Sequence, residues 1–124
     1  MHFPEDLLYT KDHEWVRING DIATIGITDF AQSELGDIVY VEIETLGEEL
    51  NEHDIFGSVE AVKTVSDLFM PLAGSVVEIN QDLSRTPEVI NQDPYGKGWM
   101  VKVRFSDAGQ DNMNAAEYRK MVGK

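Results

Sequence analysis

SVEAVKTVSDLFMPLAGSVVEIN, running from Ser58 to Asn80, decides how this chain folds. Val59, Ala61 and Lys63 alternate with Glu60 and Val62, the period-2 pattern of a strand whose two faces meet different surroundings. Thr64 to Asp67 is turn-like, and an apolar strand is expected from Leu68. Pro71 and Gly74 resist a strand interior, so a bend or a new strand is expected before Ile79. The stretch from Ile55 to Asn80 therefore reads as a β-hairpin with Lys63 near its tip, where a long flexible stem is open to other proteins.

On the N-terminal side, Glu14 to Ile27 reads as two strands around Asn19-Gly20, a dipeptide suited to a type I′ turn. Thr28-Asp29 supplies an N-cap and a first-turn acid, and Gly36 a stop, predicting a helix over Asp29 to Leu35. Asp37 to Glu44 returns to strand, and Gly47 to Asn51 is acidic turn material. On the C-terminal side, Thr86-Pro87-Glu88 reads as a helix start with Pro at N1, and Asn91 to Gly98 as loop. Trp99, Val101, Val103 and Phe105 alternate with Met100, Lys102 and Arg104 as a strand. A final helix is expected from about Asn112 to Val122, with Ala115, Tyr118, Met121 and Val122 on one face. Gly20-Asp21-Ile22, Gly36-Asp37-Ile38 and His53-Asp54-Ile55 each open a strand after a turn. Many short strands between turns predict a mainly β fold, a small sandwich or barrel with minor helices.

The chain has 124 residues, with 10 Lys plus Arg against 23 Asp plus Glu and a formal charge of -13. Such a chain repels polyanions, which argues against nucleic acid and against anionic membrane surfaces as partners. Its apolar content of 42% is too high for a disordered acidic tail. Roughly two-thirds of the extended chain's surface can be buried at this size, so one domain over residues 1–124 is expected. Without cysteine, disulfides and thiolate metal sites are excluded. Met1-His2-Phe3-Pro4-Glu5-Asp6 has no signal-peptide or transit-peptide character, and no apolar run approaches the length of a membrane span. A cytoplasmic protein of bacterial type is expected; a processed mitochondrial protein has the same signature.

Searches for catalytic patterns fail. The chain has no Gly-Lys-Ser/Thr phosphate loop, no dinucleotide fingerprint and no Gly-x-Ser-x-Gly elbow. His13 lacks a second histidine at ligand spacing and reads as packed or hydrogen-bonded, and His53 as solvated. Positive charge is more informative. Between Arg17 and Arg85 the only cation is Lys63, against fourteen acids. Offsetting local repulsion, worth roughly 0.2–1 kcal/mol per exposed pair, explains that charge by itself; the hairpin tip adds access. An amine with a reference pKa near 10.4 is a poor base at neutral pH, so Lys63 suits modification better than catalysis.

Ser58 to Asn80 resembles the lipoyl-lysine hairpin of the glycine cleavage system H-protein family. YTKDHEWVR (Tyr9 to Arg17), GITDFAQSELGDIVYVE (Gly26 to Glu42) and NQDPYGKGWMVKV (Asn91 to Val103) also follow the family pattern, in order along nearly the whole chain. The resemblance implies a lipoyl-domain-like barrel-sandwich hybrid of two facing sheets, with short flanking helices and a C-terminal helix. It implies lipoate in amide linkage to Lys63, with Glu60 and Gly74 falling where the family carries features associated with lipoylation. It implies a non-catalytic carrier. Lipoamide on Lys63 accepts an aminomethyl group from glycine at the pyridoxal-phosphate P-protein, presents it to the T-protein for transfer to tetrahydrofolate, and is reoxidised by dihydrolipoamide dehydrogenase. Lipoylating enzymes are further partners. Two positions depart from the pattern: Thr45-Leu46-Gly47 lacks a turn proline, and Val65 stands where a small residue is common.

The loaded arm ends in a cationic amine on a labile link, so a carboxylate in a cleft is expected to hold it. Glu14 and Asp67 are the candidates, against the alternative that both are solvated surface acids. Four other readings bear on Lys63. A biotin carrier usually has Met on both sides of its lysine, where Val62 and Thr64 stand, and a 2-oxoacid dehydrogenase lipoyl domain favours Asp-Lys-Ala. An H-like relay would pass lipoyl groups to other enzymes, and an unmodified acidic binding module would need only the charge of Lys63.

Overall fold

The computed structural model describes residues 1–107, 109 and 112–124. Among these, the elements are β1 (Leu8–Tyr9), β2 (Glu14–Asn19), β3 (Ile22–Ile27), α1 (Asp29–Leu35), β4 (Ile38–Glu42), β5 (Glu49–Leu50), β6 (Ile55–Ala61), β7 (Val65–Phe69), β8 (Gly74–Ile79), a short 3-10 helix (Gln81–Ser84), α2 (Val89–Gln92), β9 (Val101–Arg104) and α3 (Ala115–Val122). They form a six-stranded antiparallel sheet in the order β1-β2-β3-β9-β8-β5 and a three-stranded one in the order β4-β6-β7. The expected mainly β architecture with flanking helices is present as two facing sheets, without a closed barrel.

Local signals explain several boundaries. Thr28 accepts a hydrogen bond from the Ala31 amide and Gly36 closes the last turn, so α1 has the expected limits. Ile22, Ile38 and Ile55 begin β3, β4 and β6, and the residue two before each, Gly20, Gly36 or His53, has positive φ. In the β2–β3 hairpin Asn19 pairs with Ile22, so the turn is Gly20-Asp21, one residue later than the expected Asn19-Gly20. Of that pair Gly20 alone is left-handed, the II′ pattern rather than I′.

Other boundaries are set by tertiary contacts. Glu49 and Leu50, expected to be turn, pair with Ser75 and Gly74 as β5. Pro87 precedes α2 instead of opening it, and Glu88 at its N-cap makes no side-chain cap. The strand expected from Trp99 to Phe105 is confined to Val101–Arg104, and Met100, expected on the face opposite Val101, is fully buried. The last helix starts at Ala115, after Asn114 and Glu117 close a capping box; Met113 bridges to Tyr9 instead. Met121, expected on the buried face, is 44% exposed.

Val16, Ile25, Val101 and Val103 of the large sheet pack against Ile38, Phe56, Val59 and Leu68 of the small one. A second cluster under α3 gathers Phe3, Leu7, Tyr9, Trp15 and Tyr118. No helix among the described residues is long and apolar enough to cross a membrane.

Trp15 lies across from Gly26, its ring nitrogen donating to the Pro94 carbonyl at 2.9 Å. A Cβ on Gly26 would sit 2.7 Å from that nitrogen, and the buried indole has no retreat. Gly26→Ala is therefore expected to cost about 2 kcal/mol, read as a lower urea midpoint with unchanged slope. An unchanged midpoint would show that the ring has room.

Candidate functional site

Lys63 sits where β6 turns into β7. The Ala61 amide donates to the Thr64 carbonyl at 2.7 Å, so the chain reverses at Val62 and Lys63. Strand pairing resumes at Val65, which faces Glu60. The turn expected over Thr64 to Asp67 is thus corrected: Ser66 and Asp67 are strand residues, since pairing with Val59 and Ser58 overrides their turn preference. Val59 and Ala61 point into the core as the alternation requires, and Lys63 is exposed. Val62 and Val65 beside it are 77% and 63% exposed, so the departure at Val65 places an apolar side chain in solvent close to the lysine.

The tip does not stand free. The Val62 amide donates to the Asp37 carbonyl at 3.1 Å, and Ala61 pairs with Ile38. A Cβ on Gly36 would lie 3.7 Å from Cε of Lys63, so the lysine stem runs past the end of α1.

From that end a groove of about 250 Å³ opens between α1, the start of β2 and β7. Ile27, Phe30, Leu35 and Leu68 supply apolar walls, and Glu14 and His13 supply polar groups. Glu14 is 2% exposed. Its carboxylate accepts from Thr10 Oγ1 at 2.7 Å and from the Phe69 amide at 3.4 Å. Burial pushes its carboxyl up to about 7; the charge of Asp12 adds to this and the two hydrogen bonds oppose it. The alternative that Glu14 is a solvated surface acid is thereby overturned.

His13 has φ 69°, a left-handed position that aims its ring into the fold. Its Nδ1 shares a 2.8 Å hydrogen bond with the Tyr118 hydroxyl, which also meets Thr28 Oγ1 at 2.8 Å. Burial lowers the His13 pKa against the pull of Asp12 and Glu34, and burial raises that of Tyr118 to about 12. One hydroxyl from α3 thus joins the turn before β2 to the N-cap of α1, and both flank the groove. Among the described residues no group of three His, Asp or Glu is arranged to hold a metal.

The remaining sequence-derived residues lie apart. Cross-strand pairing places Tyr40, Glu60 and Val65 in one row on the outer face of the small sheet, and Glu42, Ser58 and Asp67 in the next. Asp67 borders the groove through its strand, but alternation turns its side chain away from Glu14. Gly74 is in the other sheet, where a Cβ would collide with the Arg104 carbonyl oxygen, so packing alone demands glycine there. Tyr118, Thr28 and Thr10 were not singled out as site residues. The sole sequence signals were Thr28 as an N-cap and Tyr118 on a helix face.

The family model described as Glycine cleavage H-protein matches residues 7–124. A glycine cleavage system H protein from Prosthecochloris aestuarii is 59% identical, with 100% of each chain covered. Another, from Bacteroides thetaiotaomicron, is 52% identical over 98% of each. The crystal structure of a glycine cleavage system H protein from Mycobacterium marinum superposes with a TM-score of 0.92 at 39% identity, covering 98% of this chain and 100% of that one.

The buried carboxyl has a measurable signature. Between pH 4.5 and about 7 the folded protein keeps a proton at Glu14 that the unfolded chain has released. Stability at that site therefore falls as pH rises through this window, by up to about 3 kcal/mol. Relative to wild type, Glu14→Gln should gain stability between pH 5 and pH 8 in urea titrations. Parallel curves for the two proteins would contradict the raised pKa.

Proposed function

The chain belongs to the glycine cleavage H-protein family, and on that premise we propose that residues 1–124 form one lipoyl-carrier domain of the cytoplasmic glycine cleavage system. Lipoate is joined as an amide to Lys63, and the carrier itself catalyses no step. The observation that carries this reading is the setting of Lys63: an exposed lysine on a pinned hairpin tip, beside an apolar groove that ends in a buried carboxyl. Those walls fit a hydrocarbon arm, and Glu14 fits a cationic end group.

When bound, the lipoyl group supplies a redox-active disulfide that takes up a one-carbon unit, chemistry that belongs to the cofactor. The protein's residues present, shelter and release. The tip offers the lysine to lipoylating enzymes, with Glu60 and Gly74 as recognition features. The groove would exclude water from the end of the arm. Glu14, already desolvated, would accept a charge-assisted hydrogen bond from a cationic amine at the end of the arm, which would favour its ionised form. Asp67 at the border adds negative charge. The carrier visits the P-protein, the T-protein and dihydrolipoamide dehydrogenase in turn, and its acidity steers it to basic docking surfaces.

In a reconstituted system with the P-protein, lipoylated wild type should support glycine decarboxylation and Lys63→Arg should support none. Activity retained by Lys63→Arg would leave only an acidic binding module. A lipoylated wild type that supports no decarboxylation would point to a lipoyl relay instead. Glu14→Ala should shorten the lifetime of the loaded carrier, and Asp67→Ala should do so less. Lifetimes unchanged in both variants would remove the groove from the proposal.

A further inference from the structure

The tip that carries Lys63 rests on one corner of the chain, Gly36–Ile38. Val62 donates to the carbonyl at its centre, Asp37, and the lysine stem passes Gly36. Gly36 has φ 79° and ψ -156°, a region open to glycine and strained for other residues. Its amide closes α1 onto the Gln32 carbonyl, and its own carbonyl is left beyond the helix end.

One side chain spans this corner. Asn91, from α2, accepts from the Ile38 amide through Oδ1 at 3.0 Å and donates through Nδ2 to the Gly36 carbonyl at 2.8 Å. The same Nδ2 donates to Gln32 Oε1 at 3.0 Å. A primary amide carries an acceptor and a donor on one plane, so it bridges a backbone N–H and a C=O two residues apart on either side of Asp37. Aspartate keeps the acceptor but turns an anionic oxygen toward the Gly36 carbonyl. Nothing in the carrier's chemistry calls for this clamp at the groove itself.

We propose that Asn91 is a positioning residue for the modification of Lys63, fixing the corner on which the lysine-bearing tip rests. The proposal builds on lipoylation of Lys63 as the protein's function. An exposed target presented in one backbone arrangement costs a modifying enzyme less ordering than a fraying tip does, and the benefit falls on KM. Asn80 provides the matched control. Its Nδ2 donates to the Lys97 and Trp99 carbonyls, and it is bonded to neither the corner nor the tip.

The test uses the unlipoylated chain with lipoate, ATP and a lipoate ligase, comparing wild type, Asn91→Ala, Asn91→Asp and Asn80→Ala. Both Asn91 variants should raise KM for lipoylation about fivefold or more with kcat little changed, and should speed hydrogen exchange at the Val62 amide while the Val103 amide keeps its protection. Asn80→Ala should lower the melting temperature and leave KM and Val62 exchange unchanged. Equal KM in wild type and both Asn91 variants, or an equal rise in Asn80→Ala, would overturn the positioning role. Failure of the wild type to accept a lipoyl group would instead overturn the function on which the proposal builds.

Discussion

A two-stranded hairpin is marginal on its own in water, and the site depends on how this one is held. β6 lies between β4 and β7, so the strand leading to Lys63 is paired along both edges. Its inner residues Phe56, Val59 and Ala61 are buried in the core, while its outer residues face solvent. At its end the Val62 amide is bound to the Asp37 carbonyl. The backbone is thereby held up to the residue before the lysine, whose side chain is exposed.

Among its apolar walls the groove carries polar groups that would be costly if unpaired. A buried carboxylate with no partner would lose more in desolvation than the fold gains nearby. Glu14 meets this by accepting from Thr10 and Phe69 and by favouring its protonated form up to about pH 7. Tyr118 satisfies His13 and Thr28 together, which couples the C-terminal helix to both flanks of the groove. A buried carboxyl poised near neutrality changes charge within the ordinary pH range. Small changes at its neighbours then shift its charge.

What was legible in the sequence follows the range of the signals. α1 was readable to the residue because Thr28, Asp29 and Gly36 act within one turn. The start of β6 at Ile55 was readable, whereas β4 begins at Ile38, one residue after the expected Asp37, and the β2–β3 turn lies one residue later than Asn19-Gly20 implied. Lys63 stood out through charge and alternation, which survive without coordinates. The turn after it was misplaced because Ser66 and Asp67 have turn-like chemistry but are recruited by cross-strand partners. The Tyr118 node joins residues 105 and 90 positions apart, and no local pattern reveals such a contact. Glu14 entered through family resemblance, and its burial came with the structure.

The central claim is a covalent one: Lys63 carries lipoate. Intact-mass analysis of the protein, expressed with both lipoate and biotin supplied, tests it most directly. One lipoyl increment mapped to the Lys63 peptide, and absent from Lys63→Arg, is the expected result. A biotin increment at Lys63, or an unmodified wild type under conditions that lipoylate other carriers, would contradict it.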